Sequence, residues 1–313
     1  MRASTRSEGN TPPNPPVVVI GAHCIAAHLS EEVETMKKYA ALPVRIAPFL
    51  ILLGLAAPVA GALDIDPLRY QGGVRNSPGK RSLDGKQLAA VVKSLREKTG
   101  LLELDFDADG FLRIGDPKQT AGGSQTAREL LAAAVESEFA FDLECHSRSA
   151  GIAFGRLGPP VSYQSRATGL QIEVVPLDLD FVDFERLRGD KQVISSFDLG
   201  MVILHELGHG VLRLHDARSE SEGLGECEAH MNRIRRELGL PERQNYFARL
   251  VERPSGVTGA IGKQAELLFT RETKSSDRTK RQSYVLFWDA SQVGSLATEA
   301  ALSRMRSGET AMR

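Results

Sequence analysis

The sequence predicts an α+β fold in which a small mixed β-sheet packs on one buried helix and a second helix follows. Three observations lead there. Residues 198–216, DLGMVILHELGHGVLRLHD, begin with a capping aspartate, Asp198, and continue with apolar residues at helical spacing. Ile203, Leu204, Leu207, Val211 and Leu214 share one arc, and Met201, Val202 and Leu212 add apolar surface on the other side. A helix apolar nearly all round belongs in the middle of a domain. Upstream lie three segments of strand composition, FAFDLEC, GIAFG and QIEVVPLDLDF; downstream lies GECEAHMNRIRRELGLP, a helix closed by Gly239 and Pro241.

The elements follow in chain order. Residues 1–35 read as an untranslated or disordered extension. Met36, Lys37, Lys38 and Arg45 then precede the apolar run IAPFLILLGLAA and the small-residue end Ala60-Gly61-Ala62. That is the anatomy of a secretory signal peptide over residues 36–62, and the run is too short to span a bilayer comfortably. A secreted or periplasmic protein, with no stable membrane association after cleavage, is therefore expected. Cleavage after Ala62 leaves Cys145 and Cys227, as one disulfide or two thiols.

Residues 63–85, with Gly, Pro and Arg, read as a linker. Leu88, Val91, Val92 and Leu95 give residues 87–98 a helical stripe. Asp105, Asp107, Asp109, Gly110 and Asp116 match part of a calcium loop, but the twelfth position lacks its glutamate. The flanks also alternate like strands, so a hairpin turn at Asp109-Gly110 is expected. Residues 127–140 read as another helix. Residues 86–250 then form the main domain, and 251–313 add a late hairpin carrying the lone tryptophan, Trp288, with a helical tail. A balance of 39 basic against 40 acidic residues offers neither a nucleic-acid surface nor an acidic tail.

The chemistry concentrates in the central helix. His205 and His209 are four residues apart, about 40° from each other around the helix, so both imidazoles reach one point. Glu206 points to the side of that point. This H-E-x-x-H arrangement supplies two neutral imidazoles for Zn²⁺ and a carboxylate to activate water. The fold expected around it is zincin-like, with an edge strand able to pair with a peptide substrate. Gly208 and Gly210 lower helix propensity but let a strand or substrate come close. The plainer alternative is a pair of core histidines bonded to backbone carbonyls, yet such a buried polar set needs a partner.

A catalytic zinc needs a third protein ligand. His215 stands where a three-histidine motif would place it, but Leu212 occupies the position of the helix-ending glycine. If the helix continues through Leu214, His215 points about 100° away from the metal. Glu228, on the second helix, is the preferred ligand, with Asn232 one turn later as support for a zinc histidine. Tyr246 and His230 are candidates for oxyanion stabilisation by residue type, and Arg235 for a substrate carboxylate or a solvated charge.

HELGHG, the acidic residues after it and then NRIRRELGLPERQNY resemble the NleD-like bacterial effector metallopeptidases. Those pair a zinc helix with a downstream N-x-x-R-x-E-x-G-x-x-x-R-x-x-Y segment, matched here by Asn232, Arg235, Glu237, Gly239, Arg243 and Tyr246. The likeness spans residues 202–246 and implies a zinc-dependent peptidase fold. The apparent signal peptide sets this chain apart, so the effectors' host substrates do not carry over. The expected activity is peptide or protein hydrolysis on Zn²⁺ held by His205, His209 and Glu228, with Glu206 as general base and Tyr246 assisting. The competing readings are a secreted zinc module without catalysis, and a toxin or effector exported by another route.

Overall fold

Side-chain caps start most of the longer helices. In this computed structural model the described residues are 71–294, except 148, 150, 165–168, 255–260 and 276–277. The expected extension, signal peptide and helical tail lie outside them. Helix α1 (Gly85–Thr99) opens on a capping box, in which Asp84 accepts from Gln87 N and the Gln87 side chain returns the bond. Gly100, in the left-handed conformation, closes it. Helix α2 (Gln125–Val135) is capped by Ser124, whose hydroxyl also donates to Glu237.

The main sheet has the order β1-β4-β7-β5: β1 (Gly73–Asn76), β4 (Ala140–Cys145), β7 (Gln171–Leu179) and β5 (Gly155–Leu157). Strand β6 (Val161–Gln164) also pairs with β7. The β1–β4 and β4–β7 pairs are parallel, and β5 and β6 run antiparallel to β7, so the sheet is small and mixed. One expectation needs correction here. Residues 71–85 are not simply linker, because β1 forms the far edge of the sheet and buries Val74. The segment is too short for periodicity to betray it, and Gly72–Gly73 suggests a loop; only pairing with β4 reveals the strand. Asp105–Arg113 pair across the hairpin of β2 (Leu104–Phe106) and β3 (Leu112–Ile114), where Gly110 has φ 83° and Asp107 accepts from Asp109 N and Phe111 N. The acidic run is a turn. GIAFG contributes only its last residue to β5.

Two short helices, α3 (Phe181–Phe184) and α4 (Lys191–Ser195), lead into the central helix α5 (Leu199–Leu212). Asp198 caps α5 by accepting from Met201 N, and Lys98 pairs with its carboxylate at 2.6 Å. One side of α5 (Ile203, Leu204, Leu207) packs in a core with Leu95, Leu131, Phe141 and Leu177. Val202, on the other side, joins Phe154, Phe269, Leu286 and Trp288. This second core explains why α5 is apolar all round. Its far wall is an antiparallel sheet of order β11-β10-β8, in which β9 (Arg249–Pro254) also pairs with β10. Its members are β8 (Glu242–Arg243), β10 (Ile261–Ser275) and β11 (Arg278–Asp289). The expected late hairpin is therefore present, but it shares a core with α5 and is no appendage. Among the described residues no helix is long and apolar enough to cross a membrane.

Candidate metal centre

Helix α5 presents His205, Glu206 and His209 together. The two Nε2 atoms are 3.1 Å apart. Gly210 allows this helix to lie on the sheet, since a Cβ there would sit 2.4 Å from the Phe141 ring. Glu206 is buried, and its Oε2 accepts from Leu157 N of edge strand β5 at 2.8 Å. That bond fixes one carboxylate oxygen and ties the strand edge to the histidine pair.

The end of α5 differs from the expectation, and the difference brings another carboxylate to the histidines. The helix stops at Leu212 because Arg213 itself adopts the left-handed conformation, φ 54°, with its N–H bonded to Gly208 O. A non-glycine residue there costs on the order of 1 kcal/mol. The chain then turns back: His215 is exposed, and Asp216 faces the histidines. Its carboxylate lies 3.3 Å from His205 Nε2 and 3.1 Å from His209 Nε2. Helix α6 (Gly225–Glu237) brings Cys227, and donor atoms of His205, His209, Asp216 and Cys227 all lie within 4.8 Å of one another.

This cluster requires positive charge. His209 Nδ1 sits 2.7 Å from Leu214 O, a carbonyl that can only accept, so the ring proton belongs on Nδ1. His205 Nδ1 lies 3.5 Å from the Glu228 carboxylate, which argues the same tautomer. Both Nε2 lone pairs then converge with Asp216, whose two oxygens are buried without a hydrogen bond. Without a cation the demand falls on protons. Burial disfavours charged His209, but Asp216 and Cys227 outweigh it and push its pKa up to about 12. His205 is raised for the same reasons against its own burial. Two imidazolium rings with nitrogens 3.1 Å apart would repel by about 5 kcal/mol at an effective dielectric of 20. A single divalent ion would satisfy these donors together, and a set of two imidazoles, a carboxylate and a thiol is of a kind that could hold one.

Glu228 is placed elsewhere. It is fully buried and takes hydrogen bonds from Arg235, on one oxygen, and from Arg243 on the other at 3.0 Å. Burial opposes its ionisation, yet the two guanidiniums hold its pKa down to about 2. Glu228 thus stands behind His205, at Nδ1, and not among the converging Nε2 and Asp216 atoms. Asn232 touches neither histidine. It accepts from Arg243 N and Arg235, donates to Arg243 O, and so locks β8 onto α6. Arg235 is buried, neither clamp nor solvated charge. His230 is half-buried near Glu129, Arg233 and Glu237, apart from the cluster. Glu237 accepts from Ser124 and Thr126 at the start of α2, a structural tie.

Tyr246 does reach the site. Arg243 donates to its carbonyl, and its buried ring lines a cavity of about 60 Å³ with His205, Glu206, Val202, Leu267 and Trp288. Burial raises the phenol, and the Asp216 carboxylate beside it raises it further, so it stays protonated as a donor. Burial likewise raises the Glu206 carboxyl, against the two histidines. Cys145 and Cys227 are free thiols. The residues that sequence reasoning missed are Asp216 and Cys227. Asp216 closes the helical stretch in plain sight, but its role depends on where α5 ends. No family model, curated protein or solved structure matches the chain.

Proposed function

We propose that the chain is a zincin-like, zinc-dependent peptidase whose ion is held by His205, His209 and Asp216. The observation that carries this reading is Glu206, buried beside the converging donors with one oxygen anchored to Leu157 N. A purely structural metal site has no use for such a base. Bound zinc would polarise a scissile carbonyl and make water acidic enough to attack. The residues do the rest. Glu206 Oε2 stays on Leu157 N, which leaves Oε1 to take the water proton and pass it to the leaving amine. The protonated Tyr246 hydroxyl, beside the Asp216 carboxylate at the cavity wall, is the donor we assign to the developing oxyanion. Among the described residues β5 ends the main sheet beside Glu206, and the part of its edge not held by Glu206 suits pairing with an extended peptide. The cavity walls of Val202, Leu267 and Trp288 suit an apolar substrate side chain.

The likeness of residues 202–246 to the NleD-like metallopeptidases supports the same activity, and the leader-like segment supports export. Glu206→Gln should retain zinc, measured by metal analysis, while peptide hydrolysis falls by about 10²–10⁴. A variant that hydrolyses a peptide library as fast as the parent removes Glu206 from the reaction. A second reading, a non-catalytic metal module, is favoured by one observation, the Cys227 thiol within reach of the same ion.

A further inference from the structure

We propose that Cys227 is a fourth, displaceable ligand of the metal, so that the resting site is closed and hydrolysis begins only when the thiolate leaves. The inference rests on the metal reading above and adds a form of control to it. Cys227 is fully buried, and its Sγ is one of the four donors within 4.8 Å of one another. As a thiol it donates to His205 O at 3.3 Å and lies 3.6 Å from His205 Nδ1, the contacts that hold it when it is off the metal. Space is reserved for it: a Cβ on Gly208 would come 3.2 Å from this sulfur, so a side chain there would press on it. The orphaned Asp216 oxygens, on a side chain only 10% exposed, point independently to an ion at this place.

Two imidazoles, a carboxylate and a thiolate complete a tetrahedral set of the kind that closes structural zinc sites. Sulfur also biases the site toward zinc or cobalt and away from magnesium or manganese. On binding, the thiol gives up its proton and shares its electron pair with the metal. On release the sulfur keeps that pair and takes back a proton, and the vacated position opens to water beside Glu206. No oxidant or reductant is involved. The arrangement reconciles a base poised for catalysis with four protein donors.

The test is cobalt(II) substitution of the full chain. Wild type should show near-ultraviolet sulfur-to-cobalt charge-transfer absorption, and Cys227→Ser and Cys227→Ala should lack it. Cys145→Ser and Cys24→Ser should keep it. By chelator competition the two Cys227 variants should bind zinc on the order of 10-fold more weakly, and they should hydrolyse peptide several-fold faster than wild type. Identical cobalt spectra in wild type and Cys227→Ser overturn the thiolate ligand but leave the proposed peptidase intact. Loss of the band without faster hydrolysis overturns the closed resting state. Failure of wild type to bind cobalt or zinc at all overturns both this inference and the metal reading. If Cys227→Ser does not fold, the wild-type and Cys145→Ser spectra still decide the sulfur ligand.

Discussion

Replacing Glu228 by glutamine separates a support for the histidine from a ligand of the metal. The carboxylate is fully buried between Arg235 and Arg243, and its pKa is about 2 in the fold against 4.5 in an unfolded chain. Holding a carboxyl that far down contributes about 3 kcal/mol at neutral pH. Removing one partner of a buried ion pair costs a similar 3–5 kcal/mol, because the arginines stay behind uncompensated. The sign follows from the depressed pKa: the contribution is complete above about pH 4.5 and vanishes as pH falls through about 2. Glu228→Gln should therefore lower Tm by about 6–12 °C at pH 7, and the gap to wild type should shrink toward pH 2. Zinc affinity should fall by only about 10–100-fold, as for the loss of a group that orients a metal histidine. Asp216→Asn takes away the carboxylate that faces both Nε2 atoms, so its zinc affinity should fall more than about 100-fold, well beyond the loss in Glu228→Gln. Thermal melts at several pH values and a chelator competition measure both. Reversed results, with Glu228→Gln stable but metal-free and Asp216→Asn still loaded, would refute the placement of both carboxylates.

Two further outcomes are expected. Tyr246→Phe should reduce kcat by about 10²-fold with KM and zinc content near parental, since it loses only a donor to the oxyanion; steady-state kinetics on one cleaved peptide decide it, and an unchanged kcat removes the phenol from the reaction. Expression from Met36 in a Gram-negative host should give exported protein beginning at Leu63, and N-terminal sequencing that finds Met36 intact on soluble protein would rule the leader out.

Much of the fold is legible in the sequence because its signals are local. Helices α1, α2, α5 and α6 are announced by apolar spacing, α5 also by its capping Asp198 and α6 by the Gly239 that closes it, and β7 by its strand composition. The i, i+4 geometry of a helix is enough to bring His205 and His209 to one point with Glu206 beside them. That part of the site needs no tertiary information. Strand β1 is different: four residues have no period, and its identity comes from the β4 edge that accepts it.

The third carboxylate shows most clearly what the chain order conceals. Glu228 and Asp216 are both acids at workable distances along the chain, and propensity favours a helix running on past Leu212. Only the packed structure stops α5 at Arg213, through a left-handed turn that no glycine announces, and swings Asp216 under both Nε2 atoms. The burial of Arg235 and Arg243 around Glu228 then commits that carboxylate to the back of His205. Helical residues carry their chemistry in their spacing, whereas a carboxylate's role is set by which charges the fold buries next to it. That is a long-range electrostatic and packing outcome, decided by the tertiary structure alone.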